Sequence, residues 1–422
     1  MLKTRGVGGR QRSRTEPATT SAWWDVRGWG YRPQSSRDLR LDLLRGAMVV
    51  AMVVDHVGGN SLFTVFTGRN EYIVSAAEGF IFISGGVLGI VYADRILRLG
   101  LAAALLAALR RARYLYRVTT GLTLAFLGLS LFTSYPLWVG REHGLGVGSP
   151  LEALVGALTL HYTYQGTDVL AIYVLLVATA PLALYLLASG RVALLLAGSF
   201  ALWALYQFYP WMVDMPWSVR NSVFPYASWQ FLFNAGLVLG YHRRRLGWLA
   251  RALTRPVVMA PVALVIAGVI VFTQWQHGGR VNELGLPIGD AGFAWLYNKP
   301  SLGAGRIFAF AFYAALAFAL VTRLWRPLRF LLGWLLLPLG QGALLAYGLH
   351  LLLLGPSQHW LAPALWGPGS TMLTATAAHV ASLAPVFLVV VGQRALAALP
   401  KPWGFALSLL ARRRVHDPIP PD

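Results

Sequence analysis

The chain has 422 residues, of which 56% are hydrophobic and 12% charged, and its net charge is +20. Soluble domains carry about 25% charged residues, so this composition excludes an ordinary soluble protein and predicts a polytopic membrane protein. Cysteine is absent, which excludes disulfides, thiolate metal sites and a thiol nucleophile.

The first 36 residues are basic and contain no apolar core. No cleavable signal is therefore predicted, and we expect residues 1–36 to form a disordered cytosolic tail. Residues 37–411 are expected to form one multi-pass membrane domain. A second cytosolic tail is expected over residues 412–422.

Ten apolar stretches are long enough to cross a bilayer whose hydrocarbon core is about 30 Å thick. They cover residues 42–60, 72–93, 115–138, 168–188, 191–209, 226–242, 256–274, 302–322, 329–354 and 371–392. The segment Arg95–Arg113 has the pattern of an amphipathic interfacial helix between the second and third stretches. The sequence therefore predicts an all-α polytopic membrane protein with about ten transmembrane helices.

Basic residues are distributed unequally between the two sets of predicted loops. With the N-terminus in the cytosol, 29 of the 36 Lys and Arg residues lie on the cytosolic side and five on the other side. Short loops rich in Lys and Arg face the cytosol, so both termini are predicted to be cytosolic. This distribution explains the basic charge without a nucleic-acid partner and leaves the lipid bilayer as the expected surroundings.

The first predicted span carries ionisable residues near both of its ends. In RDLRLDLLRGAMVVAMVVDHVGGN, Asp42 and Arg45 lie near the start, and Asp55 and His56 near the end. A charged residue within a membrane helix costs about 2.5–3.5 kcal/mol, so a functional role is expected. Arg45 and His56 are eleven positions apart, which places them on nearly one face and about 16 Å apart along the axis. Snorkelling of Arg45 to the headgroups and capping by His56 remain alternatives.

Five other predicted spans place polar groups in the same half of the membrane as His56. These are Glu78, Asp168, Trp229, Gln230, Asn234, Arg306 and His350. An unpaired carboxylate at the depth of Glu78 favours a function. Asp168 and Arg306 also fit an ion pair between helices, and His350 also fits a core histidine.

Other sequence features give negative or structural indications. The motifs HExxH, GxxxxGK(S/T) and GxSxG are absent, and metal ligands do not cluster, so no metal is predicted. Gly85, Gly86 and Gly89 are predicted to permit close packing of the second span against another helix.

The segment RDLRLDLLRG…DHVGGN resembles the OpgC family, membrane succinyltransferases acting on periplasmic glucans. It is also similar to the wider acyltransferase-three and heparan-glucosaminide acetyltransferase group. Arg45 and His56 match the Arg-x10-His motif of that group. Further segments resemble, in order, the family's second, fourth and sixth spans and its last conserved part: AAEGFIFISGGVLGIVYADRI, LTLHYTYQGTDVLAIYVLLVATAPLAL, FPYASWQFLFNAGLVLG, and KPSLGAGRIFAFAF followed by LGQGALLAYGLHLLLL. The sequence departs from the family at Gly340-Gln341-Gly342, where a more basic or polar stretch is expected.

The resemblance implies an enzyme of the bacterial inner membrane that uses cytosolic acyl-CoA, either succinyl-CoA or acetyl-CoA. Its acceptor would be a hydroxyl of an extracytoplasmic carbohydrate. Arg45, with Asp42, is expected to bind the donor. His56 is expected to act as a general base or to carry the acyl group, with Glu78 or Asp168 orienting its imidazole.

The remaining polar residues complete this expectation. The residues expected to bind the acceptor are Arg306, His350, Gln230, Asn234 and Trp229. The sequence leaves a homodimer open. The alternative function is a transporter or flippase for a sugar or lipid-linked sugar, in which the intramembrane charges would line a pathway.

Overall fold

The computed structural model describes residues 37–68, 73–132, 142–143, 150–161, 163–164, 166–213, 224–277 and 290–398. Over these residues the fold is helical, apart from two short strands and a 3-10 turn at Pro210–Met212. The predicted tails, residues 1–36 and 412–422, lie outside the described residues.

The helices of the described residues are as follows. The first eight are α1 (Leu39–Val57), α2 (Thr64–Thr67), α3 (Ala76–Leu99), α4 (Leu101–Phe132), α5 (Pro150–Leu158), α6 (Asp168–Ala188), α7 (Val192–Phe208) and α8 (Tyr226–Tyr241). The others are α9 (Gly247–Leu253), α10 (Pro256–His277), α11 (Asp290–Tyr297), α12 (Ala304–Arg323), α13 (Trp325–Gln341), α14 (Ala343–Trp360), α15 (Ala362–Trp366) and α16 (Met372–Ala398). Strands β1 (Glu142–His143) and β2 (Thr163–Tyr164) pair antiparallel, with Glu142 opposite Tyr164.

Four described helices are long and apolar enough to cross a membrane. They are α3, α6, α12 and residues Met372–Leu396 of α16. Two bent pairs, α9 with α10 and α13 with α14, raise the number to six when each pair counts as one span. The protein is therefore an all-helical membrane protein, and length and composition alone do not establish ten crossings.

The segment between the second and third predicted spans is not a separate interfacial helix. The chain stays helical from α3 to Leu99, turns at Gly100 with φ of 83°, and continues in α4 as one helix of 32 residues. Glycine adopts this left-handed conformation without the steric penalty of a side chain. The predicted helix over Arg95–Arg113 is therefore divided at Gly100, and its second part continues into the third predicted span.

The predicted span over residues 329–354 is broken into two helices. The axes of α13 and α14 differ by 88°, and Gly342 ends one helix and begins the other. Pro338 lies one turn before this break and cannot donate a backbone hydrogen bond to the preceding turn. Proline and small residues together are a common cause of sharp helix bends.

Helices α3 and α8 cross with their backbones in close contact. A Cβ atom on Gly85 would lie 2.1 Å from the Phe233 carbonyl oxygen, and one on Gly236 would lie 2.1 Å from the Phe82 carbonyl oxygen. Gly89 has a similar contact, whereas a Cβ on Gly86 would meet its nearest atom at 3.6 Å. The predicted close packing is confirmed, and it depends on Gly85 and Gly89 more than on Gly86.

Helix α1 lies at the centre of the bundle. It packs against α2, α3, α12, α13, α14 and α16, and its apolar side contributes Val49, Met52, Val53 and Val57 to the main hydrophobic core. Both ends of α1 are consequently surrounded by side chains from several helices. We call them the Arg45 end and the His56 end.

Candidate functional site

Local capping fixes where α1 begins and ends. Asp38 caps the first turn by accepting a hydrogen bond from the Arg40 amide at 3.0 Å. Gly58, with φ of 85°, ends the helix, and its amide donates to the Val54 carbonyl at 3.1 Å. His56 therefore lies in the last turn, one residue before the helix ends. Arg45 lies three turns earlier, about 16 Å away along the axis.

His56 forms a histidine pair with His350 of α14. Nδ1 of His56 lies 3.0 Å from Nε2 of His350, and the rings stack with centroids 5.2 Å apart and planes 25° apart. The side chain of Gln358 donates to the His56 carbonyl at 2.8 Å. His350 is 3% exposed, and its ring also contacts Tyr347 at 4.8 Å between centroids. Helix α14 thus holds both the ring and the backbone of His56.

A third histidine holds the turn that follows α1. His379 of α16 places Nε2 2.8 Å from the Gly58 carbonyl and Nδ1 2.8 Å from Oγ of Ser61. The carbonyl can only accept, so Nε2 carries the proton and donates. Sequence reasoning did not single out His379, whose only signal is its position within the last apolar stretch.

Glu78 and Arg306 form a buried ion pair between α3 and α12. Nε of Arg306 donates to Oε1 of Glu78, and their side chains are 5% and 0% exposed. Oε2 of Glu78 accepts from the Ser75 amide at 3.0 Å and from Oγ of Ser75 at 2.5 Å, which completes a capping box. Nη2 of Arg306 is buried without a hydrogen-bond partner. The expected orientation of His56 by Glu78 is not what the structure shows, since Glu78 pairs with Arg306 and His350 contacts His56.

The turn before α12 is held by side chains of α7 and α8. Trp229 donates from Nε1 to the Pro300 carbonyl at 3.2 Å, and Trp203 donates to the Leu302 carbonyl at 3.0 Å. Leu302 has φ of 50° and is fully buried, a conformation that costs a non-glycine residue about 1–3 kcal/mol. The indole of Trp229, predicted to bind substrate, therefore helps to hold this strained turn.

Lys299 in the same turn connects the polar residues of the His56 end. It interacts electrostatically with Glu78, Asp168 and Asp55, and also with Arg306. Burial lowers the pKa of the Lys299 ammonium below its ordinary value, Arg306 acts in the same direction, and the carboxylates oppose the change. In the sequence, Lys299 is one of the five basic residues of the predicted extracytoplasmic loops, and nothing there indicates its contacts.

Asp168 lies at the start of α6, close to α14. Its Oδ1 accepts from the Val169 amide at 2.8 Å. The hydroxyl of Tyr347 donates to the Gly166 carbonyl at 2.6 Å, two residues before Asp168. The first turn of α6 is thereby connected to the helix that carries His350.

Gln230 and Asn234 lie in a separate network between α8 and α7. The Gln230 amide donates to the carbonyls of Ser199 and Ala227 at 2.8 and 3.0 Å. Its oxygen accepts from the Ser199 hydroxyl at 2.5 Å and from the Asn234 amide at 3.0 Å. Groups of the protein itself satisfy the side-chain hydrogen bonds of Gln230. Gln230 and Asn234 therefore join α8 to α7.

At the Arg45 end, the guanidinium lies beside an aromatic ring. The guanidinium carbon of Arg45 lies 5.8 Å from the centroid of the Phe80 ring, and Nε is buried without a hydrogen-bond partner. Asp42 accepts from Nε of Arg37 at 2.7 Å rather than from Arg45. Gly46 faces α13, where a Cβ atom would lie 1.9 Å from the Leu336 carbonyl oxygen.

Gly340, in the stretch where the sequence departs from the family, has a packing role. A Cβ atom there would lie 1.7 Å from the Asp42 carbonyl oxygen. The backbones of α1 and α13 therefore approach each other closely beside Arg45, and a larger residue at position 340 would separate them.

The described part of the chain contains no group of three or more His, Cys, Asp or Glu residues placed to hold a metal ion. The polar residues instead divide into a dense cluster at the His56 end and a guanidinium at the Arg45 end. No curated protein matches the chain, and no solved structure matches it. The family model described as OpgC protein matches residues 37–397. The chain therefore belongs to the OpgC protein family.

Proposed function

We propose that the protein is an O-acyltransferase that moves a succinyl or acetyl group from cytosolic acyl-CoA to a hydroxyl of an extracytoplasmic glycan. Membership of the OpgC family implies a membrane acyltransferase. The observation that carries the proposal concerns the central helix α1. At one end it carries His56, which pairs with His350 of α14, and at the other end it carries the Arg45 guanidinium. A donor and an acceptor from opposite sides would meet along this helix.

In this proposal, His56 removes the proton from the acceptor hydroxyl. The hydroxyl oxygen bonds to the thioester carbon, the carbon–sulfur bond breaks, and the CoA thiolate takes up a proton. Histidine is the side chain most often used for this proton transfer. Transfer through an acyl-His56 intermediate is the other form of the same reaction.

The donor is proposed to bind at the Arg45 end. The buried Nε of Arg45 lacks a hydrogen-bond partner, and a guanidinium suits phosphate or a thioester carbonyl as ligand. Asp42 lies one turn away and fixes Arg37 at 2.7 Å. In this proposal Asp42 influences donor binding indirectly, by holding Arg37.

The acceptor is proposed to bind at the His56 end. Nη2 of Arg306 offers a buried donor without a partner, and Asp168 belongs to the same group of charges around Lys299. Sugar hydroxyls both donate and accept, so a mixed set of cations and carboxylates suits them. Trp229, Gln230 and Asn234 support this region by fixing α7, α8 and the turn before α12.

The proposed orientation has ten crossings, cytosolic termini and the Arg45 end towards the cytosol of a bacterial cell. The unequal distribution of Lys and Arg supports it. A reporter fused after Arg245 should be cytosolic, and one fused at Glu283 should be extracytoplasmic. Two reporters on the same side would refute the ten-span topology.

The function is tested with purified protein and a panel of acyl-CoAs, by measuring CoA release with and without glycans. His56→Ala should lower acyl transfer about 10²–10⁴-fold, the usual contribution of a general base, with little loss of folded protein. His359→Ala is the matched control, because His359 is an exposed histidine on α14. Wild-type transfer rates in His56→Ala would refute the proposed mechanism.

The bend between α13 and α14 favours a second candidate, a sugar or lipid-linked sugar transporter. Discontinuous helices are common at the substrate sites of transporters, and this pair is bent by 88°. A transporter would move labelled glycan into proteoliposomes without releasing CoA. CoA release that depends on glycan would exclude transport as the whole function.

A further inference from the structure

At the contact between His56 and His350, one of the two facing nitrogens must carry a proton and the other must not. Nδ1 of His56 and Nε2 of His350 lie 3.0 Å apart, a distance at which one nitrogen donates and the other accepts. In a neutral imidazole one nitrogen carries the proton and the other carries the lone pair. Fixing the tautomer of either ring therefore fixes the tautomer of the other.

The surroundings of His350 determine its tautomer. Nδ1 of His350 is buried and has no hydrogen-bond partner at ordinary distance and angle. The His350 ring interacts with the backbone of Ala346 and Tyr347, one turn earlier on the same helix. Both groups are carbonyl acceptors, because the amides of this helix segment point the other way. A lone pair on Nδ1 would be repelled by them, whereas an N–H is attracted.

We infer that His350 is a positioning residue that holds His56 as the Nδ1–H tautomer and so makes Nε2 of His56 the atom that accepts the proton or attacks the donor. With its proton on Nδ1, His350 presents the lone pair of Nε2 to His56. Nδ1–H of His56 donates to that lone pair. The catalytic meaning of the assignment rests on the proposed function, whereas the tautomer itself does not.

The packing around His350 makes it suitable for this role. Its ring lies between the stacked His56 ring and Tyr347, and the Tyr347 hydroxyl is tied to the Gly166 carbonyl at 2.6 Å. The carbonyl of His56 is held by Gln358. Ring and backbone are both fixed, so rotation of the His56 ring would break the 3.0 Å contact. A catalytic triad uses a carboxylate to hold the tautomer, and here a neutral imidazole takes that position.

The tautomer is tested directly by ¹⁵N NMR of histidine-labelled protein at a pH where His56 is neutral. Signals of His56 are identified by their loss in His56→Ala. We expect the wild-type protein to show a protonated Nδ1 and an unprotonated Nε2. His350→Gln retains an acceptor oxygen near the position of Nε2 and should preserve this pattern. His350→Phe retains a ring without an acceptor and should give a mixture of tautomers.

Kinetics provide a second measurement on the same variants. His350→Phe should lower kcat about 10²-fold, within the contribution of a general base, with KM for the acceptor little changed. His350→Gln should recover most of that loss. A histidine that only filled space would show the reverse order, because phenylalanine replaces its volume better than glutamine. His359→Gln, at an exposed position of α14, is the control.

The outcomes separate this inference from the proposed function. A protonated Nε2 in wild-type His56 would overturn the inference whatever the activity. A raised acceptor KM with unchanged kcat in His350→Phe would also overturn it, in favour of direct acceptor binding. The expected tautomer together with no acyl transfer from any acyl-CoA would leave the assignment standing and refute the proposed function. If His350→Phe does not fold, the wild-type spectrum still decides.

Discussion

The two ends of α1 differ in the side chains that surround them. At the His56 end, two other histidines and a glutamine hold the ring, the backbone and the following turn, and a buried ion pair joins α3 to α12. At the Arg45 end, the guanidinium lies over Phe80, and its Nε has no hydrogen-bond partner. Both ends thus keep a buried guanidinium nitrogen without a partner, Nη2 of Arg306 and Nε of Arg45, but polar side chains of other helices fix the ring at the His56 end.

This difference matches the separate demands of the proposed reaction. Proton transfer requires a base held within about 0.5 Å of its productive position, and a network of fixed neighbours achieves this. Binding of an anionic donor requires an available cation instead, because the ligand brings the opposite charge. The same helix satisfies both demands because its ends have different neighbours.

The largest effect on stability is expected from Glu78 at the His56 end. Glu78→Gln leaves the Arg306 guanidinium buried without its counter-ion, which costs about 3–5 kcal/mol. The matched variant is Asp42→Asn at the Arg45 end, where the partner Arg37 is 59% exposed. Water can solvate that arginine, so we expect a loss below about 1 kcal/mol. Thermal unfolding of both purified variants measures the difference, and equal losses would remove the contrast between the two ends.

A smaller loss is expected where α1 meets α13. Gly46→Ala and Gly340→Ala each place a methyl group within 1.9 Å of a backbone oxygen, and overpacking of this kind costs about 1–3 kcal/mol. Gly121→Ala on α4 is the control, because a Cβ atom there meets nothing within 4 Å. Melting temperatures should fall for the first two variants only. Tolerance of alanine at position 340 would show that the backbones do not approach closely beside Arg45.

The smallest effect is expected from Arg45→Lys. The charge remains, but the planar guanidinium is lost, so KM for acyl-CoA should rise about tenfold, as for the loss of one charge-assisted hydrogen bond. Melting temperature should stay unchanged. Arg40→Lys serves as control, because Arg40 is engaged with Asp38 and Thr322. If Arg45 only anchors the helix at the headgroups, lysine will replace it with no change in KM.

The pattern of charges along the sequence predicted that Arg45 and His56 lie near opposite ends of one helix. It did not predict which residues of other helices contact them. Periodicity placed Arg45 and His56 on one helix because the helix repeat is fixed. It did not pair Glu78 with Arg306, or His56 with His350, since these contacts join residues 228 and 294 positions apart. Their distances depend on how α3, α12 and α14 pack, which no local pattern encodes.

The glycines likewise predicted a contact without identifying the partner helix. The Gly85 and Gly89 spacing predicted a close helix contact, because small residues at helical spacing make a groove. The partner helix α8 was not identified by that spacing. Gly100 and Gly342 act differently, since one separates α3 from α4 and the other marks the bend between α13 and α14. A glycine alone does not indicate which of these roles it has.

The unbroken length of α4 has a mechanical consequence. Its 32 residues make a rod of about 48 Å, some 18 Å longer than a hydrocarbon core of about 30 Å. Exposed Arg110, Arg111 and Arg113 lie in the part near its start, and buried Thr119 and Thr123 lie further along. No proline interrupts the helix, so it lacks the commonest cause of a sharp bend. When α4 tilts, its basic turn and its threonine face therefore move together as parts of one rod.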